Sequence, residues 1–317
     1  MIANRYQKSY RQPKYLNYIL FQFRLYIRRA RYTKNTRLPN KIVIITGANT
    51  GIGKENAIDH AKRGAKVYIA CRDIKRGEDA LKEIIRESGS DNVHFLQLDL
   101  ASLSSVREFS RKFHELESQL HILILNAGVM ACPQSKTKDG FEMQMGTNHL
   151  GHFLLTHLLL DLIKASSPSR IIAVSSEGHK MSNIVKDDLM SEKPYGKWRA
   201  YGRSKLANIL FARELSKKLE GTGVTVNSCH PGAVQTELGR HMNANLRKYF
   251  IKPFVTPFFK TAWEGAQTQI RLAVDPDLTE VSGKYFSNCK EKTPSRAAQD
   301  EEMAAWLYEK SLELVKL

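Results

Sequence analysis

The sequence predicts an α/β fold, in which a doubly wound parallel sheet of about seven strands forms a single domain flanked by helices. Two observations predict it. Short apolar runs rich in Val and Ile alternate with helical stretches from residue 41 onward, as in chains built from strand–helix–strand units. The first run, Lys41–Thr46, also leads through a glycine-rich turn into a helical stretch, Lys54–Arg63. With 42% hydrophobic residues in 317, the chain can bury one substantial core.

The predicted strands are short, and several are apolar throughout rather than alternating, which is typical of strands that are covered on both faces. In chain order they are Lys41–Thr46, Lys66–Ala70, Val93–Leu98, His121–Asn126, Ile171–Ser175, Val224–Cys229 and Gly283–Phe286. Further helices are expected near 102–118, 142–165 and 202–219. The sequence shows no internal repeat and no low-complexity block.

The glycine-rich turn Gly47–Gly53 lies between the first strand and its helix. Glycines at this point allow a tight turn, and they let the backbone approach a pyrophosphate at the N-terminus of a helix, where free N–H groups favour anions. The spacing is T-G-x-x-x-G-x-G rather than G-x-G-x-x-G. Because a further strand, Lys66–Ala70, follows the helix, the context indicates a Rossmann-type dinucleotide-binding domain.

Tyr201 and Lys205 are four residues apart in a predicted helix, and Ser176 precedes Tyr201 by 25 residues. Positions i and i+4 share a helix face, so the phenol and the ammonium are expected to point into one space. A nearby positive charge favours the phenolate form of a tyrosine, and a serine hydroxyl can hold the same substrate oxygen. The trio therefore predicts proton transfer to or from an alcohol or a carbonyl. Alone, the spacing also fits a surface tyrosine and a solvated lysine.

Taken together, the motifs from Lys41 onward resemble the short-chain dehydrogenase/reductase family: Thr46–Gly53, Asn126-Ala127-Gly128, Asn148, Ser176 and Tyr201/Lys205. Longer stretches are similar to its retinol dehydrogenase branch: GANTGIGKE (47–55), CRD (71–73), TNHLGHFLLT (147–156), SKLANILFARELSKKLEGTGVTVNSCHPG (204–232) and FFKTAWEGAQT (258–268). The resemblance implies an oxidoreductase that acts on retinol/retinal-like or other hydrophobic alcohol/aldehyde pairs.

The resemblance also implies the catalytic roles. Tyr201 would be the general acid/base, and Lys205 would lower its pKa and bind the nicotinamide ribose. Ser176 would orient the substrate oxygen, while Asn148 would help hold a water that passes the proton onward. Leu125 stands where the family often has a second asparagine. A binding-only protein, such as a redox sensor or scaffold, is the alternative from another class of function, and it would have no need of all four catalytic residues.

The cofactor-binding residues implied by the resemblance come from the glycine turn and the ends of later strands: Gly47, Asn49, Thr50, Gly51, Ile52, Gly53, Asp99, Asn126, Ala127, Gly128, Pro231, Gly232 and Thr236, with Tyr201 and Lys205. The residues themselves bear on which cofactor binds. Arg72 ends the second strand, and a guanidinium there suits a 2′-phosphate. Lys54 offers a second positive charge. Asp73 argues for NAD(H), unless it pairs with Arg72 or caps the next helix. The balance predicts NADP(H).

Residues 249–263 hold six aromatic side chains in fifteen positions, interrupted by two prolines. Such a segment is expected to cover an apolar ligand or to meet a membrane surface. Phe254 and Phe258 are therefore expected to contact substrate together with Ser176. The predicted substrate is a long hydrophobic alcohol/aldehyde pair, retinoid-like or else a steroid or another lipid aldehyde.

Residues 1–40 form a basic arm that precedes the catalytic domain, residues 41–317. The arm contains ten Lys/Arg and no Asp/Glu, so ten of the +17 net charges lie in it. Its apolar segment, Tyr15–Ile27, has an i, i+3, i+4, i+7 stripe at Leu16, Ile19, Leu20, Phe23 and Ile27. Thirteen helical residues span about 20 Å, less than the roughly 30 Å hydrocarbon core, so a helix lying in the interface fits better than a span. A disordered basic tail and a mitochondrial targeting segment remain open.

The remaining composition narrows the partners. No nucleic-acid-binding motif accompanies the basic charge, so nucleic acid is not an expected partner. The four cysteines have no metal or redox spacing, which favours reduced thiols in a domain that faces the cytosol. The expected location is the membrane of the endoplasmic reticulum, or alternatively the mitochondrion. His149, His152 and His157 are expected to have packing or surface roles rather than to bind a metal. The sequence leaves the oligomeric state open.

Overall fold

The sheet has eight strands, one more than predicted. In this computed structural model, which describes residues 30–234 and 259–317, the strand order is β3-β2-β1-β4-β5-β6-β7-β8, and all neighbours are parallel except β7 and β8. The strands are β1 (Ile42–Thr46), β2 (Lys66–Cys71), β3 (Val93–Gln97), β4 (Ile122–Leu125), β5 (Ser169–Val174), β6 (Val224–His230), β7 (Tyr285–Ser287) and β8 (Lys290–Lys292).

Helices connect the parallel strands and cover both faces of the sheet. They are α1 (Gly51–Lys62), α2 (Ile74–Ser88), α3 (Leu103–Leu116), α4 (Gly151–Leu158), α5 (Leu160–Ala165), α6 (Lys197–Lys218), α7 (Ala262–Val274) and α8 (Glu301–Val315). A single turn, Met143–Met145, and a π-helical turn, Gly146–Leu150, lead into α4. The single-domain, doubly wound α/β fold predicted from the sequence is confirmed.

The eighth strand was not predicted because its sequence does not resemble a buried strand. β8 reads Lys-Glu-Lys, and all three residues are exposed. It pairs only with β7, as the antiparallel edge of the sheet. Charged side chains on such an edge discourage pairing with another chain.

The central strands are buried on both faces, as their unbroken apolar runs indicate. In β1, Ile44 packs into one core cluster with residues of α3 and α4, while Val43 and Ile45 pack into a second cluster with residues of α1 and α7. A third cluster joins α6 to α8. Burial from both sides fixes the register of these strands, since a slip of one residue would exchange the two faces.

The strand order reverses between β1 and β4. The chain builds outward from β1 to β2 and β3, and it then returns to place β4 on the other side of β1. The connections at the carboxyl ends of β1 and β4 therefore diverge and leave a crevice between them. Doubly wound sheets bind their ligands at such a switch point.

The described end of the arm packs onto the α/β domain. The Tyr32 amide donates to Gln267 Oε1 of α7 at 3.0 Å, and Lys34 Nζ lies 2.9 Å from an oxygen of Asp275. Leu38 is buried in the core. Residues 1–29, with the predicted amphipathic segment, lie outside the described residues. Among the helices in the two described ranges, none is long and apolar enough to cross a membrane.

Candidate active site

A cleft with a cavity volume of about 240 Å³ opens at the switch point. Its lining comes from the carboxyl ends of β1 to β4 and the turns that follow them. Eleven of the residues predicted to bind the cofactor meet there: Gly47, Asn49, Thr50, Gly51, Ile52, Gly53, Arg72, Asp99, Asn126, Ala127 and Gly128. The structure thus brings together residues from four separate parts of the sequence.

The glycine turn is shaped by close approaches that a side chain would block. Gly47 and Gly51 have φ of +67° and +57°, which L-residues with a side chain rarely adopt. A Cβ on Gly47 would lie 2.8 Å from the Ala127 Cα, and one on Gly53 would overlap the Gly47 carbonyl oxygen. In the described part of the chain, the Thr50 side chain makes no capping hydrogen bond at the start of α1. The first amides of α1 are thus suited to an anion in the cleft.

Thr46 holds the ends of β1 and β4 together. Its hydroxyl oxygen accepts from the amides of Asn126 and Ala127, both at 2.9 Å, and it lies 2.9 Å from His152 Nε2. Asn126 Nδ2 donates to the Thr46 carbonyl at 2.9 Å. The packing role predicted for His152 is confirmed by this bond, and His157 likewise bonds the Tyr308 hydroxyl at 2.7 Å.

Two arginines stand at the end of the cleft after β2. Arg72 lines it as predicted, and Arg76, one helical turn later, lines it as well. Asp73 caps α2 by accepting from the Arg76 amide at 2.9 Å, which confirms the capping alternative for this carboxylate. Lys54 is not part of the lining, because its ammonium pairs with Glu83 at 2.6 Å. Arg76 was missed because the strand-end pattern extends only to the residues directly after β2.

Asn148 lies in the π-helical turn before α4, a rare geometry that is frequent at functional sites. Its Oδ1 accepts from the Val129 amide at 2.8 Å, and its Nδ2 donates to the Val129 carbonyl and to Ser204 Oγ, both at 2.9 Å. Asn148 therefore connects the loop after β4 to α6. Its predicted part in holding a water stays a prediction.

Ser176 and Tyr201 meet across the gap between β5 and α6. Tyr201 is almost wholly buried, and the Ser176 side chain interacts with its phenol, which favours the phenolate. The neighbouring Ser175 points elsewhere, donating to the Lys205 carbonyl at 2.7 Å. Of the two adjacent serines, the one selected by the 25-residue spacing is thus the one that contacts the tyrosine.

Lys205 lies beside Tyr201, and its ammonium bonds a backbone carbonyl. Its Nζ donates to the Val174 carbonyl at 3.1 Å and lies 6.0 Å from the centroid of the Tyr201 ring. Burial lowers the pKa of Lys205 to about 8. Burial also raises the pKa of Tyr201, opposed by the hydrogen bond from Ser176. The predicted role of Lys205 in lowering the pKa of Tyr201 stays a prediction, because in this arrangement the ammonium bonds a backbone carbonyl and burial has the largest effect on the phenol.

Gly128 links the catalytic group to the cleft. It lines the cleft, and a Cβ placed on it would lie 3.3 Å from Lys205 Nζ and 3.2 Å from Asn148 Oδ1. Ser176, Tyr201 and Lys205 do not line the cleft themselves, but Lys205 and Asn148 border Gly128, which does. The proton-transfer trio therefore adjoins the cleft.

Pro231 and Gly232, which follow β6, are held by groups that the sequence analysis did not single out. His230 Nδ1 accepts from the Gly232 amide at 3.0 Å, and its Nε2 lies 3.3 Å from a Glu177 oxygen. Lys260 Nζ donates to the Pro231 carbonyl at 3.2 Å. The contacts of Glu177 and Lys260 come from distant parts of the chain, so no local spacing predicts them. The remaining predicted residues, Thr236, Phe254 and Phe258, lie outside the described residues.

Comparisons with known proteins agree with this geometry. A family profile described as short chain dehydrogenase matches residues 41–247. Human retinol dehydrogenase 12 is 52% identical over 281 residues, covering 89% of this chain and 88% of that protein. Mouse retinol dehydrogenase 13 is 51% identical over 284 residues, covering 88% of this chain and 85% of that protein.

Solved structures give the same fold. An uncharacterised protein from Mycobacterium Paratuberculosis matches with a TM-score of 0.72 at 35% identity, covering 89% of this chain and 95% of that one. The Pseudomonas aeruginosa RhlG/NADP active-site complex matches with a TM-score of 0.63 at 26% identity, covering 79% of this chain and 95% of that one.

Proposed function

Since this chain belongs to the short-chain dehydrogenase/reductase family, in its retinol dehydrogenase-like branch, we propose that it is an NADP(H)-dependent oxidoreductase of hydrophobic alcohol/aldehyde pairs, with retinol/retinal as the model substrate. The observation that carries the proposal is the meeting of Ser176 and Tyr201 beside Lys205, at the end of a cleft lined by the glycine turn. A catalytic function explains why all these groups converge; a binding-only protein needs the cleft alone.

The cleft fits a dinucleotide. Gly47, Gly53 and Gly128 leave space that a Cβ would fill, and α1 begins at the cleft with its first amides available to a pyrophosphate. Arg72 and Arg76 place positive charge where a ribose 2′-phosphate would lie, which supports NADP(H) over NAD(H). RhlG, whose solved complex contains NADP, offers a second line of support at 26% identity.

When bound, the reduced cofactor would supply a hydride to the carbonyl carbon of the substrate. In the opposite direction, the oxidised cofactor would accept a hydride from the alcohol carbon. This chain's residues handle the proton. In the reductive direction, Tyr201 would donate its hydroxyl proton to the carbonyl oxygen as the carbon–oxygen double bond becomes a single bond. Ser176 would hold that oxygen with its hydroxyl, and the buried Lys205 would supply positive charge beside the phenolate that remains.

Tyr201 is suited to the role of an acid as the structure presents it. Burial raises its pKa, so the phenol keeps its proton at neutral pH and has one to donate. The alcohol-oxidising direction requires the opposite, a phenolate that removes a proton. The protonated phenol at neutral pH therefore suits carbonyl reduction.

Two features support a hydrophobic substrate. The relatives that share about half of this sequence are named retinol dehydrogenases. The segment 249–263 is rich in aromatic residues, and its described end enters α7, where Trp263 is 38% exposed. A segment of this composition is suited to cover an apolar substrate. Phe254 and Phe258 are proposed contacts within it.

We also propose that the basic arm holds the enzyme on a membrane surface, with the catalytic domain facing the cytosol. Arg31, near the described end of the arm, stacks over Trp263 at 5.0 Å from its ring centroid. The arm and the aromatic segment therefore reach the domain at one place. A substrate dissolved in lipid would then have a short path to the site.

Steady-state kinetics with NADPH and NADH test the proposed function on all-trans-retinal, a steroid ketone and a medium-chain aldehyde. The expected result is the highest kcat/KM for retinal with NADPH. A preference for the steroid would move the function to steroid carbonyl reduction. NADPH binding without turnover of any carbonyl would replace the proposal by the sensor or scaffold class.

A further inference from the structure

The turn that follows Ser176 is held from both sides by one histidine. Ser176 begins a 3₁₀ turn, Glu177–Met181, and its hydroxyl accepts from the Gly178 amide at 3.1 Å. Its carbonyl accepts two bonds from His179, one from the amide at 3.0 Å and one from the ring at Nδ1, at 2.7 Å. The turn presses against the catalytic tyrosine, since a Cβ on Gly178 would lie 3.1 Å from Tyr201 Cε1.

The other ring nitrogen of His179 contacts a distant part of the chain. His179 Nε2 lies 3.1 Å from the backbone amide of Ser295, 116 residues further on. A backbone N–H can only donate, so Nε2 accepts and carries no proton. The Ser176 carbonyl can only accept, so Nδ1 carries the proton. The two partners thus select one neutral tautomer of the ring.

His179 is locked by its surroundings as well. It is fully buried, and its ring packs edge-on against Tyr285 of β7 at 5.3 Å between centroids. Ser295 begins the 3₁₀ turn Arg296–Gln299, which leads into α8, and α8 packs against α6, the helix of Tyr201. The ring therefore joins the Ser176 turn to the segment that supports the other side of the site.

We propose that His179 is a positioning residue: its Nδ1–H tautomer, selected by the Ser295 amide, holds the Ser176 turn so that the serine and Tyr201 hydroxyls face one substrate oxygen. The inference rests on the proposed function, because positioning is measured through turnover. It assigns to the C-terminal segment a part in catalysis, through a residue that touches neither substrate nor cofactor.

Ser295 offers a substitution directed at the donor of the proposed contact. Its φ of −59° is the value that proline requires, so Ser295→Pro deletes the donated N–H without a change of φ. Ser295→Ala is the matched control, because it keeps the N–H and removes only a hydroxyl that has no hydrogen-bond partner within the described residues. His179→Phe keeps an aromatic ring but loses the bonds to the Ser176 carbonyl and from the Ser295 amide. His179→Asn restores a donor near the position of Nδ1.

The experiment measures kcat and KM for retinal, the Kd of NADPH and the thermal unfolding of all four variants. We expect kcat to fall about 10- to 100-fold in Ser295→Pro and His179→Phe, as for a misplaced catalytic group, with KM and Kd little changed. His179→Asn should recover part of the loss, and Ser295→Ala should match the wild type. Wild-type kcat in Ser295→Pro, or equal losses in Ser295→Pro and Ser295→Ala, would overturn the proposal.

A spectroscopic measurement separates this inference from the proposed function. In ¹⁵N-histidine spectra of the wild type, the ring that disappears in His179→Asn should show a protonated Nδ1 and an unprotonated Nε2. The opposite tautomer would overturn the proposal even where turnover is unknown, or where His179→Phe fails to fold. Absence of turnover in the wild type on every carbonyl tested would refute the proposed function and leave the tautomer as the deciding result.

Discussion

The guanidinium carbon of Arg31 lies 5.0 Å from the centroid of the Trp263 ring. A cation over an aromatic face at this distance is worth about 0.5–1 kcal/mol at an exposed site. The contact also fixes a position, because Arg31 belongs to the basic arm and Trp263 is the last residue of the aromatic segment 249–263. The part of the chain proposed to bind the membrane and the part proposed to cover the substrate are joined to the domain at neighbouring points.

The first prediction concerns a variant that starts at Ala30 and so keeps Arg31, Tyr32 and Lys34, which contact the domain. We expect it to fold, to stay in solution, and to reduce detergent-dispersed retinal with the kcat of the full chain. Anionic vesicles should pellet the full chain only, since each basic side chain near the surface adds about 1 kcal/mol of attraction, which salt reduces.

The control separates charge from apolar burial in the arm. Replacing Leu16, Phe23 and Ile27 by Ser keeps every charge, so binding should become fully salt-sensitive, because the apolar remainder is lost. Equal pelleting of the full chain and the Ala30 variant would reject the arm as the anchor. A variant starting at Lys41 is expected to be less stable, since it also removes the buried Leu38.

Tyr201→Phe tests the acid/base assignment. The substitution keeps the ring that packs against Gly178 and removes the ionisable hydroxyl. General acid/base catalysis contributes about 10²–10⁴-fold, and kcat should fall by that factor while the Kd of NADPH is unchanged. Turnover at the wild-type rate in Tyr201→Phe would be fatal to the assignment.

Ser175 and Ser176 provide a matched pair for the next prediction. Ser176→Ala removes the hydroxyl that interacts with the Tyr201 phenol, and kcat should fall about 10-fold or more. Ser175→Ala removes a bond to the Lys205 carbonyl instead, so the expected effect is a loss of about 1 kcal/mol in the free energy of unfolding, with most activity retained. Kinetics and chemical denaturation of both variants check this, and a reversed pattern would exchange the roles of the two serines.

Cofactor preference is expected to depend on Arg72. Arg72→Ala should weaken NADPH binding by about 1.5–3 kcal/mol, the value of a hydrogen bond to a charged group, and leave NADH binding nearly unchanged. Lys54→Ala is the charge-matched control, with a smaller effect expected because Lys54 already pairs with Glu83. Fluorescence titration measures the Kd of NADPH and of NADH for the wild type and both variants. Equal losses of NADPH and NADH binding in Arg72→Ala would show that Arg72 only supports the fold.

The sequence was sufficient to locate the site where the chemistry demands particular residue types at short spacing. The glycine turn is one such case: Gly47 needs a positive φ and Gly53 a close approach, and both requirements lie within one strand–turn–helix unit. Tyr201 and Lys205 are another, because a single helix sets their relation. Ser176 was found through its spacing to Tyr201, although β5 and α6 carry the two residues.

Other features of the site could not be predicted from the sequence, because they depend on contacts between distant segments and on burial. The bond from the Ser295 amide to His179 spans 116 positions, and no local pattern announces it. The pKa of Lys205 follows from its depth in the fold, which no spacing reports. Arg76 reaches the cleft because Asp73 starts α2 where it does, so its place depends on a helix cap rather than on a motif.

The buried charge of Lys205 is expected to lower the stability of the fold while it supports catalysis. Burial lowers its pKa from 10.5 to about 8, so keeping it protonated at pH 7 destabilises the folded state by an amount on the order of 3 kcal/mol. Lys205→Met removes that charge, and the Val174 carbonyl keeps a partner because Asn208 Nδ2 also donates to it at 3.1 Å. We therefore expect Lys205→Met to be more stable than the wild type at pH 7 and nearly inactive.

The pH dependence fixes the cause of that gain. Below pH 8 the folded wild type buries a charged ammonium, so the gain of Lys205→Met is complete. Between pH 8 and 10.5 the folded lysine is neutral while the unfolded one is still protonated, so the gain shrinks as the pH rises, and above 10.5 it vanishes. Chemical denaturation of both proteins at pH 7 and at about pH 9.5 measures the difference. A variant that is less stable than the wild type at pH 7 would show that the bond from Lys205 to Val174 outweighs desolvation, and that the site does not trade stability for a charged group beside Tyr201.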